Sequence, residues 1–491
     1  MAKAIMIQGT ASNTGKTLLA AGLCRIFMQD GYRVAPFKAQ NMALNSFVTK
    51  EGREMGRAQA MQAEACTLAP DVRMNPVLLK PTSDMGSQVI VNGEAVGTMM
   101  AREYYAMKGS LRPVIRKAYD SLAAECDIIV IEGAGSPAEI NLKADDLVNM
   151  GMAAMAQSPV LLAGDIDRGG VFAALAGTML LLDEKEKAFV KGVVVNKFRG
   201  DVSILRPGLT TLEAMIGVPV VGVVPWLDVQ VDDEDSLTGR FGAERFGAQS
   251  VPTGNCVDIA VIRLPRIANF TDFNALEYME GVNLRYVRGR RDLGTPDCII
   301  LPGSKNTLGD LAWLRQSGLA DAILRHAAKD RPVLGICGGL QMLGRHISDP
   351  CSVEQGGEAE GLGLLSCKTA FGPQKKLLQA EGHLSAVDGF FAGLSGLPFK
   401  GYEIHMGQSD ARGNIINSGN VYGTYLHGLF DSEAISRSLV SALFAAKGLD
   451  VASVKAFDME SFKQGQYDLL ATALRQALDM DAVYRIIQQG V

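Results

Sequence analysis

Ala4-Ile-Met-Ile-Gln-Gly9-Thr10-Ala-Ser-Asn13-Thr-Gly15-Lys16-Thr17 decides the fold. Its apolar start reads as a short buried strand, and the amphipathic stretch Lys16–Gln29 reads as a helix directly after it. The Gly-rich turn between them is a phosphate cradle. Its backbone N–H groups can wrap a phosphate, and the helix N-terminus adds positive potential. Lys16 can reach the outer phosphates, and the Thr17 hydroxyl suits Mg²⁺. Five residues rather than four separate Gly9 from Gly15, so Thr10 stands at the strict first position of a variant P-loop. Thr10, Asn13, Gly15, Lys16 and Thr17 are therefore nucleotide-binding candidates.

Outward from this loop, strand and helix signals alternate. Apolar runs at Ala4–Ile7, Val34–Phe37, Ile128–Ile131, Val160–Ala163, Val193–Val195 and Val218–Val224 read as buried parallel strands. Amphipathic stretches such as Leu111–Ala124 lie between them. This is the signature of a doubly wound α/β sheet. The pattern breaks after Pro225, and an acidic run, Asp232–Asp235, reads as a solvated loop. A second alternation begins at Val257–Ile262 and continues through Cys298–Leu301, Val333–Ile336 and Val421–Tyr425. The expected domains are 1–230, a linker at 231–255, 256–445, and a tail at 446–491 that packs as a helix pair.

Composition agrees with a folded enzyme. Of 491 residues, 47% are apolar and 21% charged, enough to bury a sizeable core and too apolar for disorder. A net charge of -5 disfavours a nucleic-acid partner. The 8 cysteines form no C-x-x-C pair, which removes zinc ribbons and redox dithiols. The start, MAKAIMIQG, has no leader pattern, and the longest apolar stretch, Gly169–Leu182, is short of the ~20 residues of a membrane span. A cytoplasmic protein with no membrane partner is expected, and homo-oligomerisation stays open.

The G-T-x-S-N-x-G-K-T form resembles the dethiobiotin synthetases, ATP enzymes that activate carboxylates or carbamates. The resemblance implies a second phosphate-facing lysine at Lys38 and a Mg²⁺ carboxylate at Glu132, which ends an apolar strand before Gly133-Ala-Gly135. Asp165 and Asp167 also follow a strand, where ligands bind in open α/β sheets. Either can meet Mg²⁺ or orient substrate; Asp145 and Asp146 are weaker candidates of the same kind. Asn196, at the next strand end, is placed to read the adenine edge, although a plain strand-end turn explains it nearly as well.

Arg331-Pro-Val-Leu-Gly335-Ile-Cys337-Gly338-Gly339-Leu-Gln341 is the second decisive run. A strand ends at a glycine-flanked cysteine and a helix follows, so the thiol is exposed on a sharp turn. The helix N-terminus favours negative charge on its sulfur. Among five histidines, His427 alone ends a clear strand, in Val421-Tyr-Gly-Thr-Tyr-Leu-His427, and is the expected base. The elbow resembles that of class I glutamine amidotransferases. There the cysteine attacks the glutamine side-chain amide and releases ammonia. The resemblance implies oxyanion N–H groups at Gly303 and Gly338, and glutamine binding by Gln341. Leu429 stands where that family usually has a glutamate two residues after the histidine, so the third member of the triad is unassigned. His405, in Tyr402-Glu-Ile-His405-Met-Gly407, is either structural or part of the glutamine site.

Ammonia release and ATP activation on one chain indicate a glutamine-hydrolysing amide ligase. A carboxylate attacks the γ-phosphate, and ammonia displaces phosphate from the acyl phosphate inside a shielded channel. Residues 1 to about 445 resemble the cobyric acid synthases. The resemblance rests on the loop at 8–17, Pro36-Phe-Lys38-Ala-Gln40-Asn41-Met-Ala-Leu-Asn45-Ser46, Glu132-Gly-Ala-Gly-Ser-Pro-Ala-Glu139-Ile-Asn141, Asp165–Phe172 and the Cys337 elbow. It implies amidation of the b, d, e and g carboxylates of adenosylcobyrinic acid a,c-diamide with four glutamines and four ATP. Cobalt enters only as part of the corrinoid substrate. Gln40, Asn41, Asn45, Ser46 and Asp146 are the implied substrate-side residues. The a,c-diamide synthases, CTP synthetases and a non-catalytic ATP switch are the rival readings; the intact Cys337 and His427 oppose the last.

Overall fold

The computed structural model describes residues 2–82, 86–232 and 255–491. The chain forms two compact units. One comprises Met1–Ala43, Glu54–Glu234 and Phe462–Val491; the other comprises Leu44–Arg53 and Asp235–Ser461.

The first unit is built on six strands: β1 (Lys3–Gly9), β2 (Val34–Phe37), β3 (Ile128–Glu132), β4 (Val160–Asp165), β5 (Val190–Phe198) and β6 (Val220–Pro225). Their order is β6-β5-β4-β1-β3-β2, with every pair parallel. This is the doubly wound sheet that the alternating runs predict. Central strands of such a sheet are covered on both faces, and β3 and β4 are accordingly apolar almost throughout. Between β2 and β3 the chain adds a four-stranded sheet of Gln40–Met42, Val77–Pro81, Gly86–Val91 and Glu94–Met100. These strands have no long apolar run, and the sequence reading does not include them.

The tail is not a separate module. Its helices Met459–Ala477 and Met480–Gln489 complete the first unit's core against helix Lys16–Gln29. Gly22 permits this, because a Cβ there would lie 2.3 Å from Leu474 Cδ1. Arg25 pairs with Asp468 at 2.8 Å, and Arg475 with Asp30 at 2.7 Å. Asp232 corrects the solvated-loop reading. It is buried and accepts from Arg57 Nε at 2.8 Å, with Lys463 Nζ 3.6 Å away. The rest of the acidic run, and most of the expected linker, lies outside the described residues.

The second unit holds β7 (Val257–Ile262), β8 (Val282–Val287), β9 (Cys298–Leu301), β10 (Val333–Ile336), β11 (Ile415–Ser418) and β12 (Val421–Thr424), in the order β8-β7-β9-β10-β12-β11. All pairs are parallel except the last. A second sheet includes Lys368–His383, Pro398–Ser409 and Leu426–His427. Residues 44–53 also pack in this unit, with Val48 in a small apolar cluster with Tyr402 and Ile404.

Leu474 is fully buried between the tail and the P-loop helix. Leu474→Ala is expected to destabilise the first unit by about 2–5 kcal/mol in denaturant titration. An unchanged midpoint would mean that the tail does not belong to this core.

Candidate active site

Cys337 sits between β10 and the helix Gly338–Leu343 at φ 50° and ψ -106°, a conformation that L residues seldom adopt. The turn closes because its neighbours lack side chains. A Cβ on Gly339 would lie 2.0 Å from Leu301 O, and one on Gly335 would lie 2.6 Å from the Gly339 carbonyl carbon. The backbone thus holds the thiol up at the carboxyl end of the sheet.

His427 is fully buried, and the Cys337 side chain is among the groups that raise its basicity, while the thiol itself donates to Ile404 O at 3.6 Å. Its Nδ1 lies 2.7 Å from Asp272 Oδ2, and Asp272 Oδ1 accepts the Gly428 N–H at 2.9 Å. Asp272 stands where the unassigned third member of a triad is expected. It lies 155 residues before the histidine, in the short helical turn Phe270–Phe273. No motif marks it. The one available signal is the presence of polar residues within the buried run Ile267-Ala-Asn-Phe-Thr-Asp272-Phe. Burial opposes charge on His427, but the Asp272 carboxylate and the Cys337 sulfur outweigh it and push the imidazole up to about 10. Tyr402 stacks on the ring at 5.3 Å.

Gly303 and Gly338 border this pair. A Cβ on Gly303 would stand 3.4 Å from His427 Cε1, and one on Gly338 would stand 2.8 Å from Ser304 N. Gln341 is locked in a polar chain, accepting from Thr307 Oγ1 and donating to Tyr425 Oη, each at 3.2 Å. His405 stacks on Tyr425 at 3.9 Å, and its two ring nitrogens meet Gly407 O and Glu403 Oε2. That favours the structural alternative for His405.

In the other unit, Glu132 at the end of β3 gathers the phosphate-side residues. Its Oε1 accepts from Thr17 Oγ1 at 2.9 Å and Lys38 Nζ at 2.8 Å. Its Oε2 accepts from Gln62 Nε2 at 2.6 Å. Lys16 Nζ reaches back over the loop to Ala11 O and Gly135 O. Asn196 Nδ2 donates to Thr14 O at 2.7 Å, bracing the loop, while Lys197 bridges Asn13 O and Asp165. Thr10 N is bonded to Ala163 O, which ties the variant position to β4. Asn13 and Gly15 both have positive φ, which coils the loop. The Thr17 hydroxyl and the Glu132 carboxylate converge as two hard oxygen donors, a set that fits Mg²⁺. Among the described residues no group of three or more His, Cys, Asp or Glu forms a metal site by itself.

The substrate-side candidates are divided between the units: Gln40, Asn41 and Asp146 belong to the first, Asn45 and Ser46 to the second. Asp146 is a structural cap: Oδ1 accepts from Val148 N and Asn149 N, and Oδ2 from Gly151 N. Asn41 is buried, with its amide bonded to Gln59 and Met42 N. Asn45 and Ser46 are buried within the second unit. Gln40, held by Tyr104 Oη, and Asp146 keep partial exposure.

Comparison with known proteins agrees with this geometry. Residues 5–236 match the CobQ/CobB/MinD/ParA nucleotide binding domain, and residues 258–435 match the CobB/CobQ-like glutamine amidotransferase domain. A nucleotide site joined to a glutamine amidotransferase centre defines a glutamine-dependent amide ligase. The chain is 57% identical over its full length to the cobyric acid synthase of Ruminiclostridium cellulolyticum, covering 98% of that protein. It is 53% identical to that of Lachnoclostridium phytofermentans and 52% to that of Citrobacter koseri, covering 100% and 99% of them. The chain belongs to the cobyric acid synthase family.

His427 carries its proton below about pH 10 and loses it, with the pairing it supports, above that value. Glutamine hydrolysis is therefore expected to persist up to an alkaline limb near pH 10. Asp272→Asn removes the charge that raises the imidazole. It should move that limb to lower pH and slow kcat roughly 10²–10⁴-fold. A limb that stays in place would remove Asp272 from the relay.

Proposed function

We propose that the chain amidates the b, d, e and g carboxylates of adenosylcobyrinic acid a,c-diamide, using glutamine as the nitrogen donor and ATP as the activator. The observation that carries this reading is the buried His427–Asp272 pair, with Cys337 among the groups that act on the imidazole, on the same chain as the Thr17, Lys38 and Glu132 cluster. The names of its full-length relatives support the corrinoid acceptor.

At the glutaminase centre, Cys337 sulfur attacks the side-chain amide carbon of glutamine. The oxyanion that forms faces the Gly303 and Gly338 N–H groups, and His427 gives its proton to the departing ammonia. Water then releases glutamate from the thioester and returns the proton to His427. Gln341 and its partners Thr307 and Tyr425 shape the glutamine side of this centre. At the nucleotide end, the Gly15 loop cradles the phosphates, Asn196 supports that loop beside the adenine, and Lys16 and Lys38 neutralise transferring charge. Mg²⁺ held by Thr17 and Glu132 would add charge neutralisation there. The acceptor carboxylate takes the γ-phosphoryl group and ADP leaves. Ammonia then displaces phosphate to give the amide. Gln40 and Asp146 are the substrate-side residues that keep partial exposure.

Among the described residues no helix is long and apolar enough to cross a membrane, in keeping with cytoplasmic work on a small-molecule acceptor.

The reading predicts a mass-spectrometric ladder of successive hydroxyl-to-amide exchanges, ending at four, when the a,c-diamide is incubated with the protein, ATP, Mg²⁺ and glutamine. An unchanged corrinoid alongside continuing glutamine hydrolysis would redirect the acceptor. Lys16→Ala is expected to stop amide formation and spare basal glutamine hydrolysis. Equal loss of both would show that the two chemistries are not separable.

A further inference from the structure

Residues 44–53 leave the nucleotide-binding unit six residues after Lys38 and pack in the unit that hydrolyses glutamine. The segment is folded on itself: Thr49 N is bonded to Arg53 O at 2.7 Å, and Gly52 N to Thr49 O at 3.0 Å. Its contacts inside that unit converge on two residues that touch the catalytic pair. The Ser46 N–H donates to Asn269 Oδ1 at 3.2 Å, and Ser46 O accepts from Tyr402 Oη at 3.4 Å. Phe47 lies 6.0 Å from the Tyr402 ring, and fully buried Val48 packs on Tyr402 and Ile404. Val48 O also accepts from Gln379 Nε2.

Asn269 and Tyr402 both lie against His427. Asn269 Nδ2 is 3.5 Å from each of the two ring nitrogens, equidistant from both rather than aimed at one lone pair. Tyr402 stacks on the same ring, with its plane tilted by 21°. Ile404, the third residue against the segment, accepts from Cys337 Sγ through its carbonyl at 3.6 Å. Asn269 also starts the turn that carries Asp272, and it does so at φ 53°, a conformation that its side-chain bond to Ser46 helps to hold.

We propose that the segment Leu44–Arg53, acting through Asn269 and Tyr402, is the positioning element of the glutaminase centre. It fixes the orientation of the His427 ring between Cys337 and Asp272. The segment itself does not touch the reacting atoms; it acts on His427 through Asn269, which lies against both ring nitrogens, and Tyr402, which stacks on the ring. Because the segment is spliced from the nucleotide-binding part of the chain, directly after the Lys38–Gln40 stretch, the glutaminase rate depends on a piece of backbone whose two ends belong to the ATP-using unit. The inference rests on the glutaminase reading. Failure of that reading would appear as a wild-type protein that does not hydrolyse glutamine; failure of the inference would appear as variants that match an active wild type.

The test uses the full chain and three substitutions. Val48→Ala loosens the segment, Tyr402→Phe keeps the stacked ring but removes its bond to Ser46 O, and Asn269→Ala removes the contact with the imidazole. Glutamine hydrolysis is followed across pH, with separate kcat and KM, and amide synthesis is driven in parallel by ammonium chloride. The expected result is a kcat loss of about 10-fold or more for Asn269→Ala and a smaller loss for the other two. KM for glutamine should change little, and the alkaline limb should move in Asn269→Ala. The ammonia-driven rate serves as the folding control and should hold in Val48→Ala and Tyr402→Phe. Wild-type kcat and pH profile in all three variants would overturn the proposal. So would a parallel fall of the glutamine-driven and ammonia-driven rates, which would mark the segment as a structural staple only.

Discussion

The 2.7 Å contact between Asp272 and His427 is the constraint around which the glutaminase centre is arranged. A fully buried imidazole gains a proton only when a buried carboxylate repays its lost hydration. That requirement ties together distant parts of the chain. Asp272 comes from the turn after β7, Gly303 from the end of β9, Cys337 from the end of β10, and His427 from just beyond β12. All four lie at the carboxyl ends of parallel strands, where an open α/β sheet places its ligands. The sheet order β7-β9-β10-β12 sets these strand ends side by side, so no loop has to travel far.

The nucleotide end follows the same logic with a different carboxylate. Glu132 ends β3 next to the P-loop strand β1, and one oxygen receives both Thr17 and Lys38. The other oxygen is held by Gln62, from the helix Arg57–Ala65, which is buried along nearly its whole length. A single well-held carboxylate thus sets the positions of the Thr17 hydroxyl and the Lys38 ammonium. The tail helices contribute indirectly, by packing on the helix that the P-loop opens.

Most parallel strands were legible because each holds an apolar run, and β2, β7, β9 and β10 match their sequence ranges residue for residue; β8, Val282-Asn-Leu-Arg-Tyr-Val287, has no such run and was not legible. The P-loop and the cysteine elbow were legible because glycine spacing reports backbone geometry. Asp272 was not, since its partner lies 155 residues away and only tertiary folding joins them. The local role of Asp146 was not legible either: it accepts three backbone N–H groups, from Val148, Asn149 and Gly151, which no motif announces. Gln40, Asn41, Asn45 and Ser46 are neighbours in sequence, yet the chain passes from one compact unit to the other between Ala43 and Leu44. No local pattern announces such a crossing, nor the return of the tail to the first unit's core.

We propose that Cys337, His427 and Asp272 together supply the nitrogen that the ATP-using unit installs. The direct measurement supplies glutamine labelled with ¹⁵N at its side-chain amide, without added ammonium for the wild-type chain and with unlabelled ammonium for Cys337→Ala, and follows the label into the corrinoid by mass spectrometry. The account predicts ¹⁵N in every new amide made by the wild-type chain, and only unlabelled nitrogen in amides made by Cys337→Ala. Unlabelled amides from the wild-type chain, or labelled amides from Cys337→Ala, would contradict it.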